Sequence, residues 1–262
     1  MEKKQYPIIE FDTDQDAIIN PLVYATDGKI PEKVILCFFY DVLEKLAKSG
    51  DLQVLGSLQS ENGPLYIYRL DYEGDSYTVM NPCVGAPLAA GVLEEMIVHG
   101  GKYFIAAGGA GALKPSLVAE HLVIPTSAVR DEGVSYHYLP PSREVEQHPE
   151  GVAAIEAVLL KKDLPFIKGK TWTTSAFYRE TVAVRDIRVK EGCVVVEMEA
   201  AAFFAVAEFR SVPLGQLLYA GDLVVPEGWD GRDWSSRYDH RENVFWLAVE
   251  SCKQLEQNCR KK

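Results

Sequence analysis

The sequence predicts a single α/β domain built on a mixed sheet. Two observations carry that expectation. Short apolar runs alternate with segments of helical period along the chain, and no linker or shift in composition divides its 262 residues. A chain of this length is long enough for a substantial core. Residues 1–31 are polar and broken by Asn20-Pro21, Asp27-Gly28 and Ile30-Pro31, so they read as an N-terminal arm on a domain spanning 32–262.

Taken in order, Val34 to Phe39 is a continuous apolar run and is expected to be a buried strand. Asp41 to Ser49 places Val42, Leu43, Leu46 and Ala47 at helical spacing and stops at Gly50. Leu65 to Leu70 and Tyr77 to Met80 flank Glu73-Gly74-Asp75, the pattern of a hairpin. Leu88 to His99 predicts a helix ending at Gly100-Gly101. Tyr103 to Ala107 predicts a strand entering the turn Gly108-Gly109-Ala110-Gly111-Ala112, and His121 to Pro125 another short strand. Asp131 to Arg143 reads as an aromatic loop, Val152 to Lys161 as a helix and Phe166 to Thr173 as a strand. Cys193 to Val196, Ala200 to Phe209 and Gln216 to Tyr219 read as a βαβ unit ending in the turn Ala220-Gly221-Asp222. Glu242 to Gln257 closes the chain as a helix with Val244, Phe245, Ala248 and Cys252 on one stripe.

Composition excludes several classes. Apolar content of 47% with 25% charged residues is ordinary for a globular protein, and no apolar run approaches a membrane span. The start Met1-Glu2-Lys3-Lys4 has no apolar signal core, so a cytoplasmic location without a membrane partner is expected. The net charge of −11 argues against a nucleic-acid binder while leaving room for an anionic small substrate. Five scattered cysteines form no CxxC or Cys/His cluster and read as reduced thiols, and the five histidines lack metal-ligand spacing, so no metal is expected.

Gly109-Ala110-Gly111 after a strand invites a dinucleotide reading. The third glycine of GxGxxG would fall at Lys114, however, with Pro115 where a helix should already run, which argues against a nicotinamide or flavin cofactor. The glycines instead suit a tight turn, a close backbone approach to a ligand, or an anion nest. His137 is a lone histidine in an aromatic loop with no nucleophile motif beside it, and is expected to be structural. Glu197, Glu199 and Asp222 end apolar strands. Buried carboxylates there must be paired or hold a polyol, and N-capping accounts for one of them but not all three.

Val196-Glu197-Met198-Glu199-Ala200-Ala201-Ala202, followed by Gly221-Asp222, resembles the signature of the nucleoside phosphorylase family of the uridine and purine type, which includes a nucleosidase branch. Gly108 to Leu113 with His121 to Pro125, Thr126 to His137, and Thr174-Ser175-Ala176-Phe177-Tyr178 resemble further blocks of that family in the same order, covering about residues 75–225. The resemblance implies a three-layer α/β/α domain with a distorted central sheet, a homodimer or a hexamer of dimers, and cleavage of the N-glycosidic bond of a small-molecule nucleoside. It makes Asp222 the catalytic acid at a purine-like base. It makes Gly108, Gly109, Phe177, Arg179, Glu180, Glu197, Met198 and Glu199 the substrate-binding set, with Glu199 on the ribose hydroxyls and Phe177 stacked on the base.

The chain departs from the family in the phosphate half of the site. Where the phosphorylases carry a Gly-Asp-Pro-x-Arg loop, this chain reads Leu36-Cys37-Phe38-Phe39-Tyr40-Asp41. Ala106 replaces the arginine before the glycine loop, Gly109 replaces a threonine, and Arg179 and Glu180 stand where uridine phosphorylases read uracil. Lys33, Arg69, Lys114, Arg130 or a side chain of a neighbouring subunit are candidates to hold phosphate instead. No cofactor is expected beyond inorganic phosphate as a co-substrate. Phosphorylase is the expected class, and a phosphate-independent nucleosidase or an inactive nucleoside-binding protein are the alternatives. The segment Trp229-Asp230-Gly231-Arg232-Asp233-Trp234 is a candidate lid.

Overall fold

Strands and helices follow the apolar pattern in a computed structural model that describes residues 3–21, 29–61 and 63–261. β1 (Lys33–Cys37) leads into α1 (Tyr40–Ser49), which ends where Gly50 takes the left-handed conformation at φ 88°. β2 (Leu52–Ser60), β3 (Gly63–Tyr72) and β4 (Asp75–Met80) form an antiparallel meander. The β3–β4 hairpin turns at Glu73 and Gly74, both at positive φ, the geometry that matches strand twist. Next come α2 (Ala86–Val98), β5 (Tyr103–Ala112), β6 (Leu122–Asp131), β7 (Glu144–Glu146) and α3 (Pro149–Lys161). β8 (Phe166–Thr174), α4 (Val182–Lys190), β9 (Cys193–Glu197), α5 (Ala200–Phe209), β10 (Leu214–Val225), β11 (Gly228–Asp230) and α6 (Tyr238–Arg260) complete the fold.

Among the described residues the eleven strands join in one mixed sheet flanked by helices on both faces. The alternation of side chains along the strands makes the layers. Ile35 and Cys37 of β1 and Ile105 and Ala107 of β5 pack with α1, α3 and α6. Val34, Leu36, Phe104 and Ala106 pack on the other face with α2 and α5. α5 is buried from Ala200 to Ala207, as its continuous apolar run over those residues requires. The architecture is therefore three-layer α/β/α.

The distortion has a specific form. β10 pairs with β6, β6 with β8, β8 with β9, β9 with β5, and β5 with β10, so five strands close into a ring. This corrects the expected βαβ unit. β9 runs antiparallel to β5 while β10 runs parallel to it, so β9 and β10 point in opposite senses and are not neighbours. Their ends still meet, because Val196 pairs with Gly111 and Ala220 with Ala110 on β5.

Two expected turns are strand. Gly108 to Ala112 continues β5 with no positive φ at Gly108, Gly109 or Gly111, so it forms no nest. Ala220, Gly221 and Asp222 lie within β10, at an irregularity of register between Ala220 and Leu223. β2, β7, α4 and β11 have no counterpart in the sequence reading. In the arm, Pro7–Ile9 forms a 3-10 turn and the Gln15 carbonyl accepts from Arg210 at 3.0 Å. Asp27-Gly28 lies outside the described residues, while Ile30 is buried and its N–H bonds to the His99 carbonyl.

Close approach of α3 to β10 depends on two glycines. A Cβ on Gly151 would lie 2.5 Å from the Leu214 carbonyl oxygen and 2.7 Å from the Gly215 Cα, with no flexible side chain to yield. Gly151→Ala should therefore lower stability by about 2 kcal/mol or more in urea unfolding. Gly91, exposed within α2 and with nothing within 4 Å of an added Cβ, should instead gain roughly 0.5–1 kcal/mol when replaced by Ala.

Candidate active site

The site begins where β9 hands over to α5. The Glu197 carboxylate is buried and accepts four hydrogen bonds. On one oxygen it receives the hydroxyls of Thr173 (2.6 Å) and Thr171 (3.2 Å) from β8. On the other it receives the Glu199 and Ala200 N–H groups (2.7 and 2.6 Å). Thr173 also accepts from the Ala201 N–H at 2.9 Å. Three otherwise orphaned amides at the start of α5 are thus satisfied, and negative charge sits at the positive end of the helix. Burial pushes the Glu197 carboxyl up, and these donors oppose the shift. Glu197 touches the cavity, but both its oxygens are engaged by the protein.

Glu199 is placed differently. One oxygen accepts the Gly85 N–H at 2.5 Å from the turn before α2, where Gly85 sits at φ 103°, a conformation suited to glycine. Burial, and next the charge of Glu197, raise its carboxyl to about 8. Together with Met198, these residues form one wall of a cavity of about 780 Å³. That volume falls within the roughly 300–1,000 Å³ usual for small-ligand sites.

On another part of the lining, Asp222 of β10 accepts the Trp229 indole N–H at 2.7 Å. Gly111 makes room here, since a Cβ would sit 3.0 Å from Val196 and 3.4 Å from Asp222 Oδ1. Phe177 and Tyr178 come from a 3-10 turn after β8, entered through a bond from the Ala176 N–H to Thr174 Oγ1. Their rings lie 4.2 Å apart at the exposed rim. Glu180 follows them, and burial with the nearby Asp222 charge raises its carboxyl to about 7. Trp229 and Trp234 also line the cavity. Their segment is tied down by Arg232 on the Leu117 carbonyl (2.8 Å) and Arg237 on Glu120 (2.5 Å).

The remaining wall is apolar and aromatic. Phe38 and Phe39, in the turn between β1 and α1, line it beside Leu218 and Tyr219. The glycines of β5 serve these rings. A Cβ on Gly108 would meet Phe38 at 3.1 Å, and one on Gly109 would meet the Tyr219 ring at 3.2 Å. Among the described residues Arg241 is the sole cation lining the cavity. It pairs with Asp41 at 2.8 Å and lies over the Phe39 ring at 5.2 Å. Gln216, 1% exposed, also reaches the cavity, and its Oε1 has no hydrogen-bond partner.

The structure thus brings Gly108, Gly109, Phe177, Glu180, Glu197, Met198, Glu199 and Asp222 around one cavity and leaves Arg179 exposed outside it. None of the candidate phosphate-holding residues reaches the cavity. Lys33 pairs with Asp75 and Glu256, and Arg69 with Asp71. Arg130 bonds Ser135, Ser142 and the Leu139 and Pro140 carbonyls, while Lys114 is exposed. His137 is exposed and outside the cavity. Sequence reasoning missed Gln216, Tyr219 and Arg241 as lining residues. A lone polar residue inside the apolar run Leu214–Tyr219 is a signal for Gln216; Arg241 has none, because only the packing of α6 brings it there. Among the described residues no group of three or more His, Cys, Asp or Glu is placed to hold a metal, and no helix is long and apolar enough to cross a membrane.

Comparison with known proteins supplies the family and the fold. The model of the phosphorylase superfamily matches residues 32–255, and the chain belongs to that family of nucleoside phosphorylases and nucleosidases. A guanosine phosphorylase of Halorubrum lacusprofundi is 27% identical over 216 residues, covering 82% of this chain and 88% of the relative. A uridine phosphorylase of Treponema pallidum is 28% identical, covering 68% and 72%. Among solved structures, purine nucleoside phosphorylase from Toxoplasma gondii in complex with immucillin-H shares the fold at TM-score 0.74 and 20% identity, covering 88% of this chain and 94% of that one. AMP nucleosidase from Bacteroides thetaiotaomicron does so at 0.70 and 21%, covering 88% and 91%.

Glu199 gives the site a pH signature. Its folded-state carboxyl titrates near 8 against an ordinary 4.5, so between those values the folded state holds a proton that the unfolded chain has lost. Stability should fall as pH rises across that window. Thermal unfolding of the parent should show this slope, and Glu199→Gln should make it shallower, most clearly between about pH 7 and 8, above the range where the raised Glu180 carboxyl contributes.

Proposed function

We propose that this protein cleaves the N-glycosidic bond of a nucleoside, with a purine-like base, and that water rather than phosphate receives the sugar. The observation that carries the reading is the distribution of charge around the cavity. Carboxyl groups line it at Glu197 to Glu199 and at Asp222 and Glu180, while the remaining wall holds aromatic rings and one cation already committed to Asp41. Glycosidic cleavage passes through an oxocarbenium-like state, which nearby carboxylates stabilise. A phosphate dianion among these carboxyls would need uncommitted cations to offset its desolvation.

In this reading Glu199 holds the ribose hydroxyls with the oxygen not bonded to Gly85. Two hydroxyl donors favour the ionised form of a carboxyl that is otherwise raised, so bound sugar restores the charge that the transition state requires. Met198 packs against the sugar, Phe177 stacks on the base, and Asp222 faces the base edge. Glu197 positions: it fixes the start of α5 and thereby Glu199.

Phosphorolysis is the second reading, favoured by the names of the relatives, which include guanosine and uridine phosphorylases. Steady-state turnover of a nucleoside panel with and without inorganic phosphate separates the two. Release of free ribose at a rate independent of phosphate is expected, and strict phosphate dependence would establish the second reading. In the same assay Glu199→Ala should lower kcat/KM about 10- to 100-fold, the effect of losing hydrogen bonds to a charged group. A parent that binds nucleosides without any turnover would instead mark a binding protein.

A further inference from the structure

Breaking the bond between C1′ and the base leaves an electron pair on a base nitrogen, and a proton delivered there makes the base a better leaving group. Six groups lining the cavity can carry a proton on oxygen: Tyr178, Glu180, Glu197, Glu199, Tyr219 and Asp222. Most are engaged. Glu197 accepts four protein donors, and Glu199 accepts the Gly85 N–H from the turn before α2. The Tyr219 hydroxyl donates to the Trp234 carbonyl at 3.4 Å, and Asp222 Oδ2 accepts the Trp229 indole N–H in a charge-assisted bond. Tyr178 is 89% exposed at the rim.

Glu180 is the exception. It is half-buried, it lines the cavity, and it stands immediately after the Phe177–Arg179 turn that carries the aromatic platform. Its backbone is fixed by a bond from its N–H to the Phe177 carbonyl at 3.2 Å, and Thr181 caps α4 directly behind it. Among the described residues its carboxyl has no hydrogen-bond or ion-pair partner in the protein. The group that interacts with it through space is another carboxyl, Asp222.

We propose that Glu180 is the general acid of this site, acting between the aromatic platform and Asp222. The assignment rests on the N-glycosidic reading above and goes beyond it. As the C1′–N bond breaks, the bonding pair leaves with the base and the Glu180 proton binds the base nitrogen. A water oxygen bonds to C1′ and loses its proton to solvent. The Glu180 carboxylate then takes a proton back from solvent, so nucleoside and water become free base and sugar. Asp222, fixed by Trp229, orients the base and opposes charge on Glu180, which holds its proton up to about pH 7. Within the cavity the other titratable or charged groups are Tyr178, Glu197, Glu199, Tyr219 and Arg241, and of these Arg241 is neutralised by Asp41.

The test compares guanosine with 7-methylguanosine, whose base is already cationic at N7 and departs without protonation. For the parent, kcat/KM on guanosine should fall as pH rises through about 7. Glu180→Gln should lose at least about 100-fold on guanosine, the lower end of the usual range for a general acid, together with that alkaline decline. On 7-methylguanosine the loss should be far smaller, which also shows that the variant is folded. Equal losses on both nucleosides would make Glu180 a binding residue, and no loss on guanosine would remove it from the reaction. Either outcome overturns the assignment and leaves the N-glycosidic reading standing. A parent that releases base from neither nucleoside overturns both.

Discussion

The structure of the site depends on burying one carboxylate. Glu197 is held out of water at the junction of β8, β9 and α5, and an ionised group there is tolerable only because four donors meet it. Those donors are the hydroxyls of two threonines on a neighbouring strand and the first amides of the helix. The bond set therefore fixes the register of β9 on β8, the start of α5, and the direction in which Glu199 leaves the backbone. α5 is apolar from Ala200 to Ala207, so among the described residues its start is set by these bonds together with the Ala201 N–H on Thr173. The same charge adds to burial in raising the Glu199 carboxyl, so two carboxyls on the cavity wall are coupled over two residues.

Much of the fold is legible in the sequence, because the signals are local. The hairpin at Glu73-Gly74, the stop at Gly50 and the apolar helix at Ala200–Phe209 each follow from a few adjacent residues. The carboxyls of the site are legible because acids at the ends of apolar strands have few bland explanations. The glycines of β5 are not, since the reasons for Gly108 and Gly109 are the rings of Phe38 and Tyr219, remote in the chain. Closure of five strands into a ring is likewise a matter of non-local pairing, and it turns an apparent βαβ unit into two antiparallel strands. α4 hides because Val182–Lys190 is mixed in polarity and buries only Arg188, and it is held by the Thr181 cap and by Arg188 on Asp131.

These long-range contacts also explain the chemical asymmetry of the cavity. Rings occupy the space that the glycines leave open, and among the described residues the single lining cation is tied to Asp41, so that wall has little to offer an anion. The other walls offer carboxyls in three states of engagement: Glu197 saturated, Glu199 and Asp222 bonded by the protein, and Glu180 without a partner among the described residues.

The most direct test of that account is to follow the phosphorus. With a purine nucleoside and saturating inorganic phosphate, 31P NMR of the complete reaction should show the phosphate resonance alone while free base and ribose accumulate. Growth of a ribose 1-phosphate resonance in step with base release would contradict it.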